Sequence, residues 1–111
     1  MLPKQNRLNL KKDFKSVTSG IRIDSNLGTI FIKFDNNKHP LIGIATSSKH
    51  FKKATERNRA KRLVSTAIEA LYTKLPDNIN IIILPKRSIL DVKSNEVLRG
   101  LGEVLKERLN N

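Results

Sequence analysis

Residues 49–62 read KHFKKATERNRAKR, with seven cations (Lys49, Lys52, Lys53, Arg57, Arg59, Lys61, Arg62) against one acid, Glu56. This +6 is half of the chain's net +12. Cations at that density suit the neutralisation of phosphate esters. Arg offers a planar fork to phosphate oxygens and can stack on bases, while Lys offers a point charge. Asn58 lies between two Arg residues, and its amide both donates and accepts, which suits a base edge or a ribose hydroxyl. His50 sits in the same block, where phosphate binding and a plain loop role are both open. The other reading of such a block is a solvated basic face, but the near absence of acid favours nucleic acid.

The rest of the composition offers no protein active site. There is no Cys, which excludes disulfides and thiolate metal centres, and two His, His39 and His50, are too few for a His cluster unless acids complete it. The ten acids are scattered. Glu103 and Glu107 share a helical face with Lys106 and Arg108, a solvated charged surface. No Gly-rich phosphate loop is present. The K-homology GxxG loop and the aromatic signature of RNA-recognition motifs are also missing. We therefore expect no catalytic residue and no metal ligand in the protein itself. A pI near 10.4 calls for a polyanionic partner. An anionic membrane surface is the weaker alternative, because no helix sets a basic face against Phe or Trp. No apolar run approaches the ~18 residues of a span, and residues 1–12 lack the apolar stretch of a secretory signal. The expectation is a soluble, cytoplasmic protein that does not engage a membrane.

The positioning elements follow from periodicity. Ala60, Leu63, Val64, Ala67, Ile68, Leu71, Tyr72 and Leu75 recur at helical spacing, so the basic block opens an amphipathic helix running to about residue 74. Thr55 is its expected N-cap, with Glu56 in the first turn. On the helical wheel Asn58, Arg62 and Ser65 fall opposite the apolar stripe, and Arg57 is drawn toward the core edge. Upstream, Leu10, Phe14 and Val17 mark a short helix over 11–17 that stops at Ser19-Gly20. A short strand over 21–23 and a strand over 27–34 follow. The latter places Ile30, Ile32 and Phe34 on one face and Thr29, Phe31 and Lys33 on the other. After a turn cluster at 35–40 comes a strand over 41–47, expected to be antiparallel to the previous one because the connection is short. Residues 79–84 (INIIIL) read as a strand buried on both faces, 86–93 as a loop, and Ser94 as the cap of a last helix. That helix carries Val97, Leu98, Leu101, Val104, Leu105 and Leu109, with Gly100 and Gly102 expected to bend it or to allow close packing. The order α-β-β-β-α-β-α gives an α+β fold, a small two-layer sandwich on a four-stranded sheet, with residues 1–111 forming a single RNA-binding domain. Phe31 has two open readings. It stacks on a nucleic-acid strand beside Lys33, or it is buried under the last helix.

Arg57-Asn58-Arg59 followed by Lys61-Arg62 resembles the RNR-x-K-R core of the protein subunit of bacterial ribonuclease P. Thr46, Ser48, Lys49 and Ala54 match the loop before it. Asn6-Arg7-Leu8, then Lys11 and Lys12, then Asp13-Phe14 match the N-terminal pattern of that family. The resemblance runs over nearly the whole chain. It implies a fold like that of ribosomal protein S5, with a left-handed crossover around the RNR helix. It also implies an accessory role in an endoribonuclease that removes the 5′ leader of precursor tRNA, with magnesium ions at an RNA active site and no cofactor on the protein. The partners would be the catalytic RNA subunit and precursor tRNA, with a protein monomer on one RNA subunit. Carried over by position, RNA-subunit contacts fall on Lys49, Lys53, Arg57, Asn58, Arg59, Lys61 and Arg62. Leader contacts fall on Phe14, Lys15, Phe31 and Lys33, with further basic contacts at Arg7, Lys11 and Lys12. Thr18, His50, Lys52 and Ser65 depart from the family's usual residues. The rival reading is a stand-alone RNA-binding module of ribosomal or chaperone type.

Overall fold

The computed structural model describes residues 2–109. Four strands, β1 (Ile21–Asp24), β2 (Gly28–Phe34), β3 (Leu41–Ile44) and β4 (Ile79–Pro85), form one sheet in the order β1-β2-β4-β3. Three helices accompany it: α1 (Leu10–Thr18), α2 (Ala54–Leu71) and α3 (Ser94–Leu109). The mixed α+β order expected from the sequence is the order found.

The pairing of β3 differs from the sequence expectation. β3 runs opposite to β2, yet it does not bond to it. β4 lies between them, antiparallel to β2 and parallel to β3. The reason is the composition of β4. Ile79, Ile81, Ile82 and Ile83 are at most 1% exposed, so both faces of this strand need cover, and only a central position gives it. The short 35–40 connection therefore skips over one strand position, and α2 forms the crossover between the parallel pair β3 and β4.

The two faces of β4 serve two cores. Ile79, Ile81 and Ile83 join Ile30, Ile32 and Ile42 beneath α2 and α3, with Phe51, Val64, Ile68, Val97, Leu101 and Leu105. Ile82 and Phe31 join Leu8 and Val17 beneath α1. The main sandwich is thus the sheet against α2 and α3, and short α1 lies on the opposite face. Phe31 is buried, but under α1 and not under the last helix, and the Arg22 guanidinium lies 5.7 Å from its ring centre. Phe34 is 47% exposed despite sharing the face of Ile30 and Ile32, because the sheet end lies beyond that cover.

Three local expectations are corrected. Helix α2 begins at Ala54 with Lys53 as N-cap, and Thr55 lies inside the first turn. Helix α3 begins at Ser94, and the carbonyl preceding it, that of Lys93, accepts from the Val97 amide at 3.1 Å. The 86–93 loop contains a short 3-10 helix, Arg87–Asp91. Gly100 does allow close packing, since a Cβ there would meet Leu27 Cδ1 at 3.0 Å.

Candidate nucleic-acid interface

The loop before α2 is pinned by one aromatic residue. Phe51 is fully buried, and its amide donates to the Ser47 carbonyl at 2.9 Å. Its neighbours Lys49, His50, Lys52 and Lys53 are consequently turned outward and exposed. Arg57 locks the junction from the helix side, with Nη1 donating to the Phe51 carbonyl at 2.7 Å and the Lys52 carbonyl at 3.4 Å. The expected inward pull on Arg57 is therefore real, and its targets are loop carbonyls.

Glu56 is held by Arg87 from the β4–α3 connection, at 2.7 Å and 3.1 Å. The guanidinium keeps the Glu56 carboxyl below its ordinary pKa. Glu56 Oε1 also accepts from the Lys53 amide at 3.4 Å, half of a capping box. Lys49, His50, Lys52 and Lys53 line a hollow of about 370 Å³ with these two residues. Its one acid is thus already neutralised.

Farther along α2, Asn58, Arg59 and Arg62 are exposed, and their side chains have no hydrogen bond or ion pair among the described residues. Arg59 and Arg62 border a shallow depression with Leu63 and Thr66. Lys61 is half-buried and faces the other way, toward the N-terminal segment. Ser65 also departs from its expected place. It is 1% exposed, because the N-terminal segment and β3 close over that side of α2.

The N-terminal basic block joins this surface. The Leu8 amide donates to the Ile42 carbonyl at 2.9 Å, so the segment runs along the outer edge of β3. Arg7 and Lys61 border one cavity. Lys11, Lys12 and Lys15 are exposed on α1, whose N-cap Asn9 accepts from the Lys12 amide at 3.3 Å.

A groove of about 570 Å³ lies between α1 and the sheet. Phe14, 37% exposed, forms one wall, with Thr29, Thr46, Ser47, His50 and Lys86 around it. His50 borders both this groove and the basic hollow, so the two adjoin. Of the four residues the resemblance assigns to leader binding, only Phe14 lines the groove. Phe31 lies beneath α1, and Lys33 Nζ donates to Ser16 Oγ at 2.8 Å. Sequence reasoning missed Ser47, Lys86 and Arg87 as members of the site. The only signal for the last two was a pair of cations directly after a buried strand.

Residues 2–108 match the family described as Ribonuclease P. The chain belongs to the ribonuclease P protein family. The ribonuclease P protein component of Pseudanabaena sp. is 35% identical over 98% of this chain and 92% of its own length. The family name places the chain in tRNA processing, as a component of a ribonucleoprotein. The fold agrees with that of solved ribonuclease P proteins. One from Thermotoga maritima superposes with a TM-score of 0.81 at 24% identity, covering 91% of this chain and 96% of that one. A mutant from Staphylococcus aureus superposes at 0.83 and 20% identity, covering 95% and 89%. No helix among the described residues is long and apolar enough to cross a membrane.

Proposed function

We propose that this chain binds the catalytic RNA subunit of ribonuclease P through α2 and the loop before it, and holds the 5′ leader of precursor tRNA in the α1–sheet groove. The observation that carries this reading is that the two surfaces adjoin at His50. The lysine-lined hollow and the Phe14 groove share His50, and Arg59 and Arg62, which have no partner among the described residues, lie about one and two turns along α2 from Glu56 of that hollow. Phosphates gain both side-chain cations and the positive end of the helix dipole there.

The role is electrostatic and positional. Arg59 and Arg62 engage RNA phosphates, Asn58 a base edge or 2′-hydroxyl, and Lys49, Lys52 and Lys53 the strand entering the hollow. In the groove, Phe14 offers a ring for stacking, while Thr46, Ser47, His50 and Lys86 offer donors for the leader backbone. The chemistry of leader removal belongs to the RNA, with magnesium ions at its active site. The protein supplies no general base and holds no cofactor. It acts in the cytoplasm as a monomer on one RNA subunit.

Binding of precursor and mature tRNA by the reconstituted complex tests the leader assignment. The precursor binds more tightly, and Phe14→Ala removes that preference without affecting mature tRNA. Equal affinity of the native complex for the two tRNAs would contradict the assignment.

A further inference from the structure

The outer strand β1 has no role in the account so far. Only β2 pairs with it, so its other side is an open sheet edge. The Ser25 amide donates to the Gly28 carbonyl at 3.0 Å, continuing the β1–β2 register. Hydrogen-bonded and non-hydrogen-bonded pairs alternate along an antiparallel ladder. Ile21 and Ile23 therefore bond β2 through their backbone, and the amides and carbonyls of Arg22 and Asp24 point outward. Those outward groups have no partner among the described residues. The Arg22 and Asp24 side chains are exposed and form an ion pair at 3.4 Å. Ile21, on the other face of the strand, is 44% exposed.

An open edge is a template for another strand. Like charges along it would repel a second copy, but Arg22 and Asp24 carry opposite signs, two positions apart on one face. The edge therefore matches itself. We propose that the RNA-free chain associates with a second copy through β1, the two strands running antiparallel about a two-fold axis at Ile23. Arg22 of each copy then stands opposite Asp24 of the other, and their outward amides and carbonyls bond in reciprocal pairs. Ile23 meets its counterpart in the close, non-hydrogen-bonded position. Ile21 lies diagonal to the other copy's Ile23, within side-chain reach, which gives the exposed residue an apolar neighbour. A register centred on Arg22 would set Arg against Arg. The two four-stranded sheets become one.

Strand β1 has only four residues, and each copy carries +12, so the association is weak. Salt screens the repulsion between the copies, so pairing tightens with salt whereas RNA binding weakens. None of the β1 residues is among those assigned to RNA above, so this pairing and the ribonuclease P role stand or fall separately.

Sedimentation velocity of the full chain, from micromolar to millimolar concentration and at low and high salt, tests the proposal. The native chain shifts toward a dimer with concentration, and more so at high salt. NMR spectra over the same dilution move the Arg22 and Asp24 amides more than those of Ile21 and Ile23. Arg22→Asp and Asp24→Arg each weaken self-association about tenfold, because each sets like charges opposite one another. Mixed in equal amounts, the two variants associate at least as tightly as the native chain, which repair of a folding defect would not explain. A native chain that stays monomeric throughout overturns the proposal. So does a dimer that forms without moving those amides, or that both variants leave intact, since another surface would then hold it. Folded variants that lose association and do not regain it on mixing overturn the register. The amide shifts read the native chain alone and decide the surface even where a variant fails to fold.

Discussion

Arg87 grips both carboxylate oxygens of Glu56, Nη2 to Oε2 at 2.7 Å and Nη1 to Oε1 at 3.1 Å, across 31 positions of sequence. Its Nη1 also lies 3.4 Å from the His50 carbonyl. One side chain thereby ties the β4–α3 connection to both ends of the basic loop. It also compensates the one acidic charge in the block of residues 49–62.

This pair has a pH signature. Arg87 holds the Glu56 pKa below its ordinary value of 4.5, so the ionised carboxylate favours the folded state. The stabilisation is present above the unfolded-state pKa and is lost as pH falls through the lower folded-state value. The melting temperature of the native chain should exceed that of Arg87→Ala near neutral pH, and the gap should close on acidification below pH 4.5. Thermal melts of both proteins across that range check it, and a gap that persists in strong acid would mean that Arg87 acts through packing instead.

Arg57 and Arg59 should behave differently although they stand two positions apart. Arg59→Ala and Arg62→Ala remove exposed side chains without partners among the described residues, so melting should be unchanged while RNA affinity falls. Each should also reduce the steepness of the salt dependence, by roughly one unit or slightly less for a lost phosphate contact. Arg57→Ala removes donors to the Phe51 and Lys52 carbonyls, and should lower both the melting temperature and the affinity. Filter binding at several salt concentrations, paired with thermal melts, separates the two.

Two phenylalanines make a second contrast. Phe51 is fully buried and Phe14 is 37% exposed. Phe51→Ala should destabilise the fold by about 3–5 kcal/mol, measurable by urea unfolding. Phe14→Ala should leave the unfolding midpoint nearly unchanged and lower precursor affinity instead. A large stability loss from Phe14→Ala would mean that its ring supports α1 rather than the groove.

Local pattern carried most of the fold. The helical spacing from Ala60 to Leu75 and the apolar run at 79–84 located α2 and β4, since both depend on burial that each segment records in its own residues. Strand order was not recorded in that way. The short connection at 35–40 pointed to direct β2–β3 pairing, and only the need of β4 for cover on both faces explains why it stands between them. The site was legible as charge, because a dense cationic run needs no tertiary information. Its geometry was not. Whether Phe31 faces RNA or core depends on where α1 lies, Ser65 is buried by a segment nearly sixty positions away, and Arg87 joins the site only through Glu56.

The proposed role of this chain is to assist leader removal by an RNA catalyst. The direct measurement is cleavage of a 5′-extended precursor tRNA by a bacterial ribonuclease P RNA at low magnesium, with and without the protein. The account predicts cleavage at the mature 5′ end only when the protein is present, with Arg59→Ala and Arg62→Ala reducing it at limiting protein. An RNA subunit from the protein's own source, bound by the protein but no better at cleavage with it than without, would contradict the account and leave a general RNA-binding module.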